Sequence, residues 1–164
     1  NEGDVFAQAN AAWGYREGYG AGVRRSYKKA VEWFLKAAEL GNASAQYNLG
    51  LMYNFGFGVE KSYTKAVEWY LKAAEQGLAS AQCILGDMYR FGFGVEQSDE
   101  KAAEWYLKAA EQGYDSAQNS LGTMYLEGRG VEQSDEKARE WYQKAAEQGF
   151  EIAIKCLDRL NDRW

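Results

Sequence analysis

The chain has 164 residues, 46% of them hydrophobic and 26% charged, with a net charge of −5; such a chain can bury a core and is neither disordered nor fibrous. No run approaches the roughly 18 consecutive apolar residues of a membrane span, and the negative balance argues against nucleic acid as a partner. Histidine is absent, which removes Ser/His/Asp and Cys/His nucleophile arrangements and His-bearing metal sites, so no metal, no cofactor and no enzyme activity is expected.

The first residues, NEGDVFAQ, lack the basic-then-apolar layout of a secretory signal, and the start at Asn1 instead of Met points to a segment removed upstream. Further along, Trp33, Trp69, Trp105 and Trp141 recur at a spacing of 36, as do Gly41, Gly77, Gly113 and Gly149, and again Gly20, Gly56, Gly92 and Gly128. Self-similarity at this period marks a stack of units, none of which buries its apolar face alone. Ending each unit at the Gly of EQG gives repeats 6–41, 42–77, 78–113 and 114–149 and a half unit, 150–164, so that 1–164 reads as a single repeat domain.

Each unit reads as two helices. The first carries Ala45, Leu49, Met52 and Tyr53 at helical spacing, and the second Ala66, Trp69, Tyr70, Ala73 and Ala74. Glu68 and Lys72, and their equivalents Glu104/Lys108 and Glu140/Lys144, are placed for i,i+4 ion pairs on the wet side. Gly77 and its equivalents suit a left-handed cap after the second helix. Between the helices lie GFGVEKS, GFGVEQS or GRGVEQS, with Val59, Val95 or Val131 as loop anchor. Gly50, Gly86 and Gly122 sit inside the first helix, where each costs about 1 kcal/mol relative to Ala; they predict close approach by the small face of the second helix at Ala66, Ala102 or Ala138. Val67 and Leu71 become Arg139 and Gln143 in the last full repeat, as a water-facing terminal unit requires.

The pattern A-x-x-x-L-G-x-x-Y-x-x-G-x-G-V, then K-A-x-E-W-Y-x-K-A-A-E-Q-G and A-x-A-Q, resembles the Sel-1-like repeat, a relative of the tetratricopeptide repeat. The resemblance covers nearly the whole chain and implies an all-α fold, a right-handed α-solenoid (superhelix) of stacked antiparallel helix pairs with a capping helix over 150–164. It also implies an adaptor that holds partners and has no chemistry of its own. The departures are terminal: Trp13 stands where later repeats have Leu, and Glu17 where they have Tyr. Cys83 and Cys156 lie more than two repeats apart, beyond the reach of about 7 Å for a bridge, and are expected as free thiols, unlike the branch of the family with a disulfide in each repeat. Free thiols favour a reducing compartment and the non-Met start favours export, so the compartment stays open.

Ser26, Ser62, Ser98 and Ser134 each precede a lysine by three residues, giving Ser-x-x-Lys, the nucleophile signature of penicillin-recognising enzymes. No companion motif accompanies it, and four copies suit a helix N-cap better than an active site. Asp99/Glu100 and Asp135/Glu136 read as first-turn charges. The GYGAGV and GFGV loops complete no phosphate-binding fingerprint, and Asn42–Ser44 forms a bare glycosylation sequon.

Charge is uneven. Residues 6–41 hold six basic and three acidic side chains, 42–77 three of each, 78–113 three and six, and 114–149 four and seven, which predicts a basic start at Arg24, Arg25, Lys28 and Lys29 and an acidic end. Positions identical in every copy serve the stack, and positions that vary are free of it. On the first helix the varying face holds Tyr47, Leu51, Asn54 and Phe55 in one copy, Asp87, Arg90 and Phe91 in the next, and Asn119, Thr123 and Glu127 in the third. This face is expected to line a concave groove that takes a peptide or protein. The expected function is thus a monomeric, non-catalytic interaction scaffold. The alternative is a dedicated inhibitor or immunity protein occluding a toxic effector, with a β-lactam-binding enzyme a distant third.

Overall fold

The computed structural model describes residues 2–18 and 25–162, with side chains from residue 7. Gly20, Arg24 and the GYGAGV loop beyond Gly18 lie outside the described residues. Every element among those described is a helix, and the chain divides into two compact units, Asn1–Leu78 and Ala79–Trp164. The first holds α1 (Glu2–Glu17), α2 (Tyr27–Glu39), α3 (Ala43–Phe55) and α4 (Tyr63–Glu75). The second holds α5 (Ala79–Phe91), α6 (Asp99–Glu111), α7 (Asp115–Glu127), α8 (Asp135–Glu147) and α9 (Glu151–Asn161). Within each unit every helix packs on the next.

The second helix of each pair starts where its serine cap stands. Ser26, Ser62, Ser98 and Ser134 have extended backbones, and each accepts a hydrogen bond from the N–H of Lys29, Lys65, Lys101 or Lys137 at 3.4, 3.3, 3.2 and 3.2 Å. Asn42 does the same for α3, accepting from the Ala45 N–H at 2.8 Å. Beyond the caps, the apolar stripe enters the core: Ala30, Phe34, Ala45 and Leu49 in the first unit, and Ala102, Tyr106, Ala117 and Tyr142 in the second, are at most 1% exposed. Burying each large side chain among them stabilises the fold by about 1.5–3 kcal/mol.

The mid-helix glycines admit a ring. A Cβ on Gly50 would stand 2.6 Å from Tyr70 Cε1, one on Gly86 2.5 Å from Tyr106 Cδ1, and one on Gly122 2.9 Å from Tyr142 Cδ1. Close approach is therefore as expected, but the neighbour is the buried tyrosine of the second helix rather than its alanine. Ala138 approaches as well, its backbone oxygen 3.2 Å from the Gly122 position. The aromatic ring explains why three copies accept glycine's cost inside a helix.

Two other expectations are corrected. The glutamates at 68, 104 and 140 form no ion pair with the lysines four residues on; instead Lys72, Lys108 and Lys144 stand 4.1, 4.1 and 4.0 Å from the ring centroids of Trp69, Trp105 and Trp141. A tryptophan three residues back offers the ammonium a face whose attraction rivals that of an exposed carboxylate, and it covers the lysine stem as well. Arg139 is not simply turned to water, because it is half-buried and donates from Nε to Asn161 Oδ1 of α9 at 3.2 Å.

A polar seam absent from the sequence reading joins successive helices. Gln46 is 5% exposed, donates to the Ala38 carbonyl at the end of α2 at 3.1 Å, and accepts from Gln76 after α4 at 2.7 Å. In the second unit Gln118 donates to the Ala110 carbonyl at 3.1 Å and accepts from Gln148 at 2.8 Å, while Gln82 accepts from Gln112 at 2.7 Å. These amides are satisfied, so they fix register without the cost of an unpaired buried dipole. The recurring Gln of A-x-A-Q together with that of EQG is the signal that could have found them.

Candidate interaction surface

In the first unit the residues expected to meet a partner sit on α3. Tyr47 is half-buried, its ring 5.8 Å from that of Tyr70, while Leu51 and Asn54 are half-buried and Phe55 is 57% exposed. Phe55 does not stand alone. Its ring stacks on Phe57 at 5.6 Å, and Phe57 stacks on Tyr27 at 5.0 Å. This ladder is set up by Gly58, whose left-handed backbone lies directly on the main chain of Tyr27 and leaves no room for a side chain. Together with Leu51 and Met52, the rings wall a half-open cavity of about 320 Å³, and Arg16, Glu17 and Arg25 supply its polar edge. Arg16 is partly committed: it donates to Glu17 at 2.6 Å and to Asn48 at 2.7 Å, and stacks 3.9 Å above Trp13. Arg25 is exposed and has no ion pair among the described residues.

In the second unit the corresponding positions are largely engaged with neighbouring side chains. Asp87 accepts from the Tyr106 hydroxyl at 2.6 Å, and Thr123 shares a hydrogen bond with the Tyr142 hydroxyl at 3.0 Å. The Arg90 guanidinium reaches Glu127 at 3.8 Å; Glu127 meets Arg129 at 3.7 Å, and Arg129 donates to Asp99 at 3.2 Å. Burial raises the Asp87 carboxyl above the usual range against the opposing pull of Tyr106 and Arg90. The Cys83 thiol is pushed up to about 12 by burial and by the charges of Asp87 and Asp115. Asn119 Oδ1 and Arg90 Nε are buried without a hydrogen-bond partner. Phe91 and Glu127 stand out of this group; Phe91 is 54% exposed, its ring 5.9 Å from Phe93.

Variation between copies thus marks two kinds of residue. At 51, 87 and 123 it follows the tyrosine hydroxyl: Asp87 and Thr123 satisfy theirs, whereas Leu51 cannot, and the buried Tyr70 hydroxyl has no partner. At 55 and 91 it leaves aromatic rings in water. Arg16, Tyr27 and Phe57 escaped the sequence reading, and Arg25 entered it only as part of a basic start, because they belong to a neighbouring repeat or to a loop.

The Ser-x-x-Lys pairs take no joint geometry for catalysis. Each serine oxygen accepts the cap hydrogen bond, and Lys29, Lys65, Lys101 and Lys137 stand 5.2, 5.4, 5.4 and 5.2 Å from the ring centroids of Tyr15, Tyr53, Tyr89 and Tyr125. Cys83 and Cys156 are both free thiols. Among the described residues no group of three or more acidic or cysteine side chains is placed to hold a metal ion, and no helix is long and apolar enough to cross a membrane.

The sequence profile of the Sel1 repeat matches residues 5–42, 43–78, 79–114 and 115–150. Among solved structures, the chain is similar to a protective antigen of uropathogenic Escherichia coli displaying an SLR fold, with 42% identity and a TM-score of 0.94 over 99% of this chain and 34% of that one. It is also similar to a Sel1 repeat protein from Oxalobacter formigenes (38% identity, TM-score 0.88, 93% of this chain and 60% of that one). Cysteine rich protein B of Helicobacter pylori shares 29% identity and a TM-score of 0.64, over 85% of this chain and 100% of its own. The chain therefore spans about a third and three-fifths of the length of the first two. No curated protein matches it. The likeness places its fold among the all-α repeat solenoids.

Proposed function

The chain belongs to the Sel1 repeat family, and from that premise we propose that it is a non-catalytic protein-interaction module whose first-helix faces and adjoining loops hold a peptide or protein partner. Sel1 repeat proteins commonly act as interaction scaffolds. The observation that carries the reading is the set of rings Phe55, Phe57, Phe91 and Phe93, 57, 41, 54 and 45% exposed, outside a core already closed by residues common to the copies. Exposed aromatics grouped in this way are the usual anchors of a binding surface. The stack does not demand them, because the last full repeat has Glu127 and Arg129 at the same two positions, joined as an ion pair.

The test is affinity capture with the intact chain beside a Phe55→Ala/Phe91→Ala variant of unchanged helical content. A partner retained by the first and lost by the second supports the reading. One retained equally by both moves binding off these rings.

A further inference from the structure

Resting on the interaction reading above, we infer that the cavity of the first unit is a specific subsite for a peptide segment that presents a bulky apolar side chain next to a carboxylate. The wall is apolar and aromatic, formed by Leu51, Met52, Phe55 and Phe57, and its volume of about 320 Å³ lies at the small end of the range of ligand pockets, room for one large side chain. The rim is cationic. Among the described residues lining the cavity, Arg16 and Arg25 are accompanied by one carboxylate, Glu17, which Arg16 already holds at 2.6 Å. Arg25 has no ion pair among the described residues, and the exposed Lys28 and Lys29 follow on the first turn of α2. A guanidinium fork beside an apolar cavity fits a carboxylate flanking an apolar anchor and rejects a basic segment.

The second unit shows that the stack does not require this arrangement. Two periods of 36 residues along the chain, Tyr27 becomes Asp99, Phe57 becomes Arg129, Phe55 becomes Glu127, Leu51 becomes Thr123 and Arg25 becomes Gln97. There the loop is fastened to the helix by the Arg129–Asp99 hydrogen bond at 3.2 Å instead of the Phe57–Tyr27 stack, and Thr123 is tied to Tyr142. One fold joins loop to helix in two ways, and the first leaves an open apolar wall beside an arginine that has no ion pair among the described residues.

Panning a displayed library of random peptides on the immobilised full chain tests this, followed by fluorescence-anisotropy titration of the selected peptides. The expected selection is enriched in Phe, Trp or Leu with Asp or Glu adjacent. Binding should weaken by about tenfold or more in Phe57→Ala and in Arg25→Gln, weaken with added salt, and change by less than about twofold in Ile154→Ala, a 40% exposed residue of α9 away from the cavity. Phe57 is 41% exposed and Arg25 exposed, so both variants are expected to fold, which circular dichroism verifies. No enrichment, enrichment of basic peptides, or binding undiminished in Phe57→Ala and in Arg25→Gln would overturn the inference. Peptides lost in Phe91→Ala but indifferent to Phe57→Ala would overturn the subsite while leaving the broader interaction reading intact; failure of that reading is seen separately, in the capture experiment.

Discussion

The three buried tyrosines occupy equivalent positions with different hydroxyl environments, which makes them a built-in comparison. Tyr106 donates to Asp87, Tyr142 is bonded to Thr123, and the Tyr70 hydroxyl is buried without a hydrogen-bond partner, Leu51 holding the position equivalent to Asp87 and Thr123. Removing a bonded hydroxyl from a charged partner costs about 1.5–3 kcal/mol, whereas removing an unsatisfied one relieves a desolvation cost. Tyr106→Phe should therefore lower stability by about 1.5 kcal/mol or more, and Tyr70→Phe should leave it unchanged or raise it by up to about 1 kcal/mol, as read by urea denaturation. Asp87 adds a pH signature. Its carboxyl is raised, chiefly by burial, so the folded chain keeps this proton to higher pH than the unfolded chain does. Its contribution to stability is thus greatest below the unfolded value of about 4 and falls as pH rises through the raised folded value. Asp87→Asn keeps an acceptor for Tyr106 and should flatten that fall in a pH series of denaturation midpoints; a difference from wild type that does not vary with pH would contradict this. None of it was legible in the sequence. The variation at 51, 87 and 123 was visible, but its coupling to a tyrosine 19 residues on exists only once two helices pack.

At the scale of the helix, what was legible is what local rules decide. Ser caps, apolar spacing and the period of 36 located the helix pairs, and α2 through α8 each run 13 residues. What escaped was a choice between two neighbours at helical reach. Lys72 has Glu68 four residues back and Trp69 three back, and side-chain spacing alone does not say that the ring wins at 4.1 Å. Packing also differs along the stack. Leu85 on α5 is fully buried, whereas Leu157 is half-buried on α9, which packs chiefly on α8. Leu85→Ala should cost about 2–5 kcal/mol and Leu157→Ala clearly less, compared by chemical denaturation. Equal losses would contradict a less enclosed end helix.

Over the whole chain the two units differ in charge more than in architecture. The first, 1–78, carries nine basic and eight acidic side chains, and the second, 79–164, ten and sixteen. That asymmetry and the exposed Phe55 and Phe91 could be read from the sequence, as could their place on a face separate from the invariant core. The reach of Arg16, Arg25, Tyr27 and Phe57 into one cavity could not, because it depends on how one repeat's loop lies on the helix before it. The central claim is that these rings are held in water for a partner and not for the stack. Its most direct measurement is a calorimetric titration of the captured partner into wild type and into the Phe55→Ala/Phe91→Ala variant. The expected result is a Kd weaker by about thirtyfold or more, about 2 kcal/mol, with little change in Tm, since truncating exposed side chains costs little stability. An unchanged Kd with a large fall in Tm would contradict the account, since it would return the rings to the core and put the binding surface elsewhere.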